Sequence, residues 1–557
     1  MKRWSLLFYT IRHLKVSQLA YQVYYRIRKP RLRDLPEPTL RNQLSEWRGV
    51  AFQKAATVDG KCFTFLGQTA RFEGNWNGPS FPKLWLYNLH YQDDLNAKGA
   101  ESRFELCERM VDAWIEGNPP LQGNGWEPYC LSLRIVNWVK FFGRRGPGEV
   151  KRCWIRSLAQ QADALEQQLE FHILANHLFA NAKALVFVGA YLGGAEGDRW
   201  LRKGLALLDR EVGEQFLNDG AHYERSPMYQ GTLLWDLADL VALSHAVQLP
   251  GMKQRERYWK QRFEKGLEWL GAMTHPDGRI SFFNDAAFGI APDIEALKRY
   301  AGILELSVPQ ESRVLKPQSV LLRESGYAVV DWPDQHRLLV DLALVGPDYQ
   351  PGHAHADTLS CELSLFGQRV LVNSGISQYG EGAERHRQRS TAAHNTVEVD
   401  GENSTEVWAG FRVARRAKPF NVSLEHGARK IVIEGSHDGY FRLRGKVTHR
   451  RSWFASDSAL IIKDSLTGHY SRSVAHWHFH PDVTVEEIGR DRFQLSLPGG
   501  QHVLLVLEGA EELRVEDSVW HPELGRALQN KVLMAEISGD VLSSKIYFKN
   551  LSDDLDF

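Results

Sequence analysis

The period of the hydrophobic pattern changes near residue 310, and that change limits this chain to two joined architectures. From about residue 85 to 310, apolar side chains recur at helical spacing, as in "FELCERMVDAWIEG", "SLRIVNWVKFFGR" and "GTLLWDLADLVALSHAVQL". These runs are ten to twenty residues long, with short breaks at Gly, Asn or Pro, and they predict successive helices. From about residue 318 the runs are short and alternating or β-branched, as in "YAVVDW", "RVLVNSG", "KIVIEGSHDG" and "HVLLVLEG". With Gly and Asp turns between them, they predict an antiparallel β-sandwich. The expected class is α+β, with the boundary near "SVPQESRVLKPQS", residues 307–319.

A chain of 557 residues is long enough for two or more cores. Its formal net charge is zero, so bulk charge predicts no nucleic-acid partner. Five scattered cysteines without a CxxC predict neither a disulfide framework nor a cysteine-rich zinc site. No run reaches the ~18 apolar residues of a membrane span. The N-terminus is not a convincing signal peptide, because Arg12 breaks its apolar run and no clear small-residue cleavage site follows. It carries nine Lys or Arg before its first acid, Asp34, with Trp4, Phe8 and Ile11 on one helical face. One reading is a basic amphipathic helix resting on an anionic membrane; the favoured one is a helix docked on the body with a solvated basic face. A cytoplasmic or membrane-peripheral location is expected, with the periplasm as alternative. Oligomeric state is not legible.

"GHAHADTLS", residues 352–360, opens into an alternating run and reads as strand-like. His353, His355 and Asp357 would then share one face. An isolated HxH is more often structural than functional. Further metal ligands would have to come from elsewhere, with Asn373 and His394 on offer. In "FHILANHLFANAKAL", Asn176, Ala180 and Lys183 share one helical face, and His177 and Asn181 the next. They form either an interhelix network or an amide and imidazole facing a cleft. In "DGAHYERSPMYQ", Ser226 reads as an N-cap and Pro227 as the first helical residue. That puts Tyr229 in the first turn, where the positive end of the helix dipole would favour phenolate. In "GWEPYCLSLRIVNW", Trp126 and Tyr129 suit stacking on a sugar and Arg134 suits a carboxylate; helix packing explains them equally well. "HWHFHP" reads as a structural strand face.

Together "ANHLFANAKAL", "DGAHYERSPMYQ", "PGHAHADTLSCEL", "LVNSGISQYG" and "RQRSTAAHNTVEVDG" resemble the heparinase II/III-like polysaccharide lyases. The resemblance implies an N-terminal (α/α) toroid, an incomplete helical barrel, over residues 81–312, with a helical segment over 1–80 packed on it. It implies an antiparallel β-sandwich over 313–557. The implied chemistry is β-elimination at a uronic acid, on an anionic polysaccharide or oligosaccharide. A base removes the C5 proton, an acid serves the leaving oxygen, and the carboxylate is neutralised. By resemblance Asn176 and His177 bind the carboxylate, and Tyr229 and His353 carry protons. Arg389 joins Trp126, Tyr129 and Arg134 as a substrate contact. His355, Asn373 and His394 would hold a structural zinc, with no organic cofactor. Two departures stand out: Asn373 where the family usually has Asp, and Gln230 where His often follows the Tyr. They keep open a non-catalytic glycan-binding or assembly component. A metal-dependent hydrolase is less favoured, because no pair of acids with a hydrolytic setting stands out.

Overall fold

The computed structural model describes residues 2–549 apart from 42, 43, 45, 46, 146, 147, 311, 312, 428 and 429. The expected boundary at 312 and the last eight residues, 550–557, lie outside the described residues. Helices α1 (Lys2–Ile11) and α2 (Val16–Ile27) come first, followed by extended chain and a hairpin of Cys62–Phe65 with Gln68–Arg71. Among the described residues of the expected 1–80 segment, only Lys2–Ile11 and Val16–Ile27 are therefore α-helical.

Among the described residues, nine α-helices follow before the sheets: α3 (Lys83–Tyr91), α4 (Phe104–Gly117), α5 (Pro128–Gly143), α6 (Arg152–Glu166), α7 (Ala175–Tyr191), α8 (Gly194–Gln215), α9 (Pro227–Val247), α10 (Pro250–Ala272) and α11 (Ile294–Ile303). Their composition sorts them into layers. In α5, α7 and α9 nearly every residue is buried, and α7 packs on both of the others. A helix apolar on all sides must be surrounded. α6, α8 and α10 are amphipathic and pair outside them, α8 on α7 and α10 on α9.

The chain then changes to antiparallel sheets of five, eight and four strands. The five-stranded sheet is a meander from Gln318–Leu322 to Gln368–Leu371, each strand bonded to the next. One apolar cluster fills the helical part and reaches Tyr327, Val372 and Trp520; a second lies among the sheets.

"GHAHADTLS" corrects the sequence expectation. Residues 352–360 form no strand; they run irregularly into the strand Cys361–Leu365. Loop 284–285 replaces the ladder: His355 N donates to Asn284 Oδ1 at 3.0 Å, Asn284 N to Asp357 Oδ2 at 3.0 Å, and Asp285 N to His353 O at 2.9 Å. Side-chain and loop partners satisfy a backbone that sheet bonds do not.

Candidate active site

A cavity of about 440 Å³ opens where the inner helices meet the sheet loops. Asn176, His177, Tyr229 and His353 all line it, as does Tyr129. α7 begins at Ala175, so Asn176 and His177 sit at the positive end of its dipole. Leu174 and Ala175 enter the helix with φ of 71° and 53°. Such left-handed residues cost about 1–2 kcal/mol each, so the surrounding packing must hold this turn in place. Asn176 Oδ1 is buried and has no hydrogen-bond partner among the described residues. His177 is held instead: its Nδ1 lies 2.9 Å from Glu170 Oε1, and Asn181 Nδ2 donates to Glu170 Oε2 at 3.0 Å. Burial works against charge on His177, but Glu170 outweighs it and raises its pKa. The Tyr129 ring lies 4.4 Å from the His177 ring.

Tyr229 enters as the sequence predicts. Ser226 Oγ accepts from Tyr229 N at 3.3 Å, and Pro227 opens α9. Its ionisation differs from expectation. Burial first, then Tyr379 and Asp285, push the phenol well above its usual pKa. A helix dipole is worth up to ~1 kcal/mol at exposed sites, under one pKa unit. Burial moves a group by up to ~3–5 units, so burial wins and Tyr229 holds its proton. Its hydroxyl lies 3.0 Å from that of Tyr379, and its ring 4.0 Å from the His353 ring.

Asp285 organises the opposite wall. Arg385 grips both carboxylate oxygens, and with the two histidines it holds Asp285 ionised despite full burial. An ionised carboxylate only accepts, so His353 Nδ1 donates to Oδ2 and His355 Nε2 donates to Oδ1, each at 2.8 Å. His353 Nε2 makes no hydrogen bond among the described residues and lies 3.8 Å from Glu224 Oε2. Glu224 is buried with neither oxygen in a hydrogen bond among the described residues, and burial raises its pKa.

His355, Asp357 and His394 form a buried group whose ligand atoms lie within 4.8 Å of one another. His394 Nδ1 donates to Ser390 O at 2.7 Å, so its Nε2 carries a lone pair. His355 already donates through Nε2, so its Nδ1 carries another. These two nitrogens face each other at 3.0 Å. Opposed lone pairs repel unless a cation lies between them, and two imidazoles plus a carboxylate are a donor set that divalent metals take. The residues fit a metal. Asn373 Nδ2 donates to Phe282 O at 2.9 Å and its Oδ1 accepts from Asn395 N at 3.2 Å, so its amide is tied into the loop network, while Asp357 supplies the carboxylate of the buried group.

Three expected substrate contacts are structural. Arg134 is fully buried and donates to Gln161, His90 O and Gly125 O, with its guanidinium over Trp114. Trp126 is buried and donates to Asn118 O. Arg389 is buried and spends its donors on the carbonyls of Ala354, Ala409, Gly410 and Arg412. It shapes the loops around the site without reaching the cavity. Gln230 is a staple too: Nε2 bonds Gly220 O and Gly266 O at 3.0 Å, fixing the turn before α9. His478 bonds Ala392 O at 2.8 Å, as befits a structural strand face. Sequence reading missed Asp285, Glu224, Glu170, Tyr379 and Arg385. One signal was available, an Asn-Asp pair inside the apolar run "RISFFNDAAFGI".

The far end of the cavity holds a different polar group. Lys183 Nζ bonds Asp236 at 2.6 Å and Asp239 at 2.5 Å; Lys140 Nζ bonds Asp239 at 2.5 Å, and Tyr300 donates to it at 2.9 Å. No Arg lines the cavity among the described residues, and both lysines are neutralised.

Residues 132–306 match the family model "Heparinase II/III N-terminus", and 315–548 match "Heparinase II/III-like, C-terminal". Curated relatives include a heparin-sulfate lyase of Bacteroides stercoris, 24% identical over 344 residues, 58% of this chain and 47% of that protein. Another, from Pedobacter heparinus, is 24% identical over 403 residues, 67% of this chain and 57% of that one. The matches thus span about half the length of these relatives. Among solved structures, heparinase III aligns at TM-score 0.69 and 16% identity, covering 96% of this chain and 90% of that chain. A heparan sulfate lyase from Pedobacter heparinus aligns at TM-score 0.57 and 17% identity, covering 96% and 88%. These likenesses are of fold.

Proposed function

We propose that this chain, which belongs to the heparinase II/III-like family, cleaves a uronate-containing glycan by β-elimination. The observation that carries the reading is a cavity where a protonated phenol, Tyr229, lies against an imidazole, His353, with a free Nε2. Elimination needs such a pair on one sugar, an acid for the C4 oxygen and a base for the C5 proton. His353 takes the C5 proton on Nε2, with Asp285 fixing the tautomer through Nδ1. Tyr229 gives its proton to the leaving oxygen, which departs as a hydroxyl and leaves the C4–C5 double bond. Asn176 and His177 bind the carboxylate at the start of α7, where the helix dipole favours negative charge as it spreads from C5. The layered helices are read as part of an α/α toroid and the sheets as a sandwich. The metal held by His355, Asp357 and His394 is read as zinc, a tie between loops.

The substrate is read as poor in sulfate, as in bacterial exopolysaccharides. A sulfated chain brings several anions per disaccharide, and the far end of the cavity holds no unpaired cation to meet them. The test incubates the protein with alginate, hyaluronan, chondroitin, heparan sulfate and bacterial exopolysaccharides and follows the ultraviolet absorbance of the unsaturated uronyl product. A rise on unsulfated chains that Tyr229→Phe abolishes is the expected result. A rise that Tyr229→Phe leaves intact sinks the assignment. Binding without any rise would favour the assembly component instead.

A further inference from the structure

The first two helices face the wrong way for a soluble surface. On α1, Trp4, Phe8 and Ile11 are 77%, 64% and 41% exposed. On α2, Val16, Leu19, Val23 and Ile27 are 83%, 38%, 55% and 80% exposed. Spacings of three and four residues make each set one outward stripe. Polar groups point inward instead. Thr10 accepts from Trp408 Nε1 at 3.0 Å, its own proton being shared between Leu6 O at 2.8 Å and Val413 O at 3.2 Å. Gln18 is buried and donates to Tyr349 O at 3.2 Å, and Lys15 bonds Glu214 at 2.5 Å. These bonds fix which face looks out, so the exposed stripes are a property of the docked helices and not of a loose end.

We propose that this face seats on an anionic lipid bilayer. Residues 1–33 hold nine Lys or Arg and no Asp or Glu. Arg3, Arg12, Arg26 and Lys29 are exposed and form no ion pair among the described residues. Apolar stripes bordered by unpaired cations, with Trp and Phe among them, are what the interface of an anionic bilayer takes up. A second copy is a poor occupant, because a two-fold contact sets a patch against itself and would oppose like charges. No helix among the described residues is long and apolar enough to cross a membrane, so the contact is peripheral.

The whole chain is mixed with vesicles of phosphatidylcholine alone or of phosphatidylcholine with phosphatidylglycerol, at low and high salt, and floated through a density gradient. Flotation with the anionic vesicles, weakened by salt, is expected. Each cation near such a surface is worth about fivefold in partition, so Arg3→Glu with Arg26→Glu should lower binding at least about tenfold. Phe8→Ser with Ile27→Ser should lower it about as much, by removing buried apolar area. All four side chains are exposed, so unchanged thermal unfolding shows the fold is kept. Absence of flotation with anionic vesicles at low salt overturns the proposal. So does flotation that the serine pair leaves unchanged, which reduces the effect to charge alone. A dimer in sedimentation that the serine pair dissolves would assign the face to a second copy.

Discussion

The two ends of one cavity hold similar side chains in opposite conditions. At the far end, Lys140, Lys183, Asp236, Asp239 and Tyr300 are mutually bonded. At the near end, Asn176 Oδ1 and both Glu224 oxygens make no close hydrogen bond among the described residues, and Glu224 meets His353 Nε2 only at 3.8 Å. Burying a polar group without a bond costs about 1–3 kcal/mol. On the proposed function, the near-end groups are left open for a ligand while the far-end charges satisfy one another. Pairing, more than residue type, then separates the two walls.

The largest test of that contrast exchanges the two ends. Tyr229→Phe and His353→Gln should each lower kcat by about 10²–10⁴-fold, measured by product absorbance, with little change in unfolding midpoint. Lys183→Met should do the reverse. It strands Asp236 and weakens the hold on Asp239, so denaturant unfolding should show a loss of about 3–5 kcal/mol, with kcat per folded molecule far less affected. Equal activity losses at both ends would break the distinction. Next in size, metal removal by a chelator should lower the unfolding midpoint, by about 2–4 kcal/mol in stability if the ion is held near 100 times its Kd. His355→Ala should abolish that sensitivity, and metal analysis should find one ion per chain in the unmodified protein only.

The smallest effect sharpens the near end. His177 has a raised pKa in the folded state and Glu170 a lowered one. The His177 contribution is therefore complete below its unfolded value, near 6.5, and fades as pH rises through the raised folded pKa. The Glu170 contribution is present above its unfolded value and fades as pH falls through the lowered one. His177→Gln should cost most stability between those limits, and its difference from the parent should shrink on the alkaline side. A difference that stays constant from pH 6 to pH 9 would show that His177 is not charged in the fold.

Much of this was legible in the sequence. The change of hydrophobic period located the two halves, and the Ser-Pro-x-Tyr start of α9 fixed Tyr229 through local capping chemistry. The side chains that failed did so because periodicity gives a face but not what the face meets. Arg134 lies on the inner-layer helix α5, where nearly every direction is buried, so it feeds backbone carbonyls, and Trp126 is buried in the short turn just before that helix. "GHAHADTLS" alternates like a strand, yet Asn284 and Asp285, some seventy positions earlier, supply its partners. The same distance hid Asp285, whose importance exists only once the chain has folded.

That carboxylate has a consequence for the reaction as charge moves through it. Asp285 and Arg385 cancel, and burial keeps the His355 imidazole beside them neutral. A proton arriving on His353 therefore meets a partner whose charge is already spent. On the proposed reaction the wall then carries one uncompensated positive charge for the lifetime of the intermediate, facing the sugar that has just become more negative. The base becomes the counter-ion of the species it creates, and transfer of a proton from His353 to the Tyr229 phenolate, directly or through water, restores both groups for the next turnover.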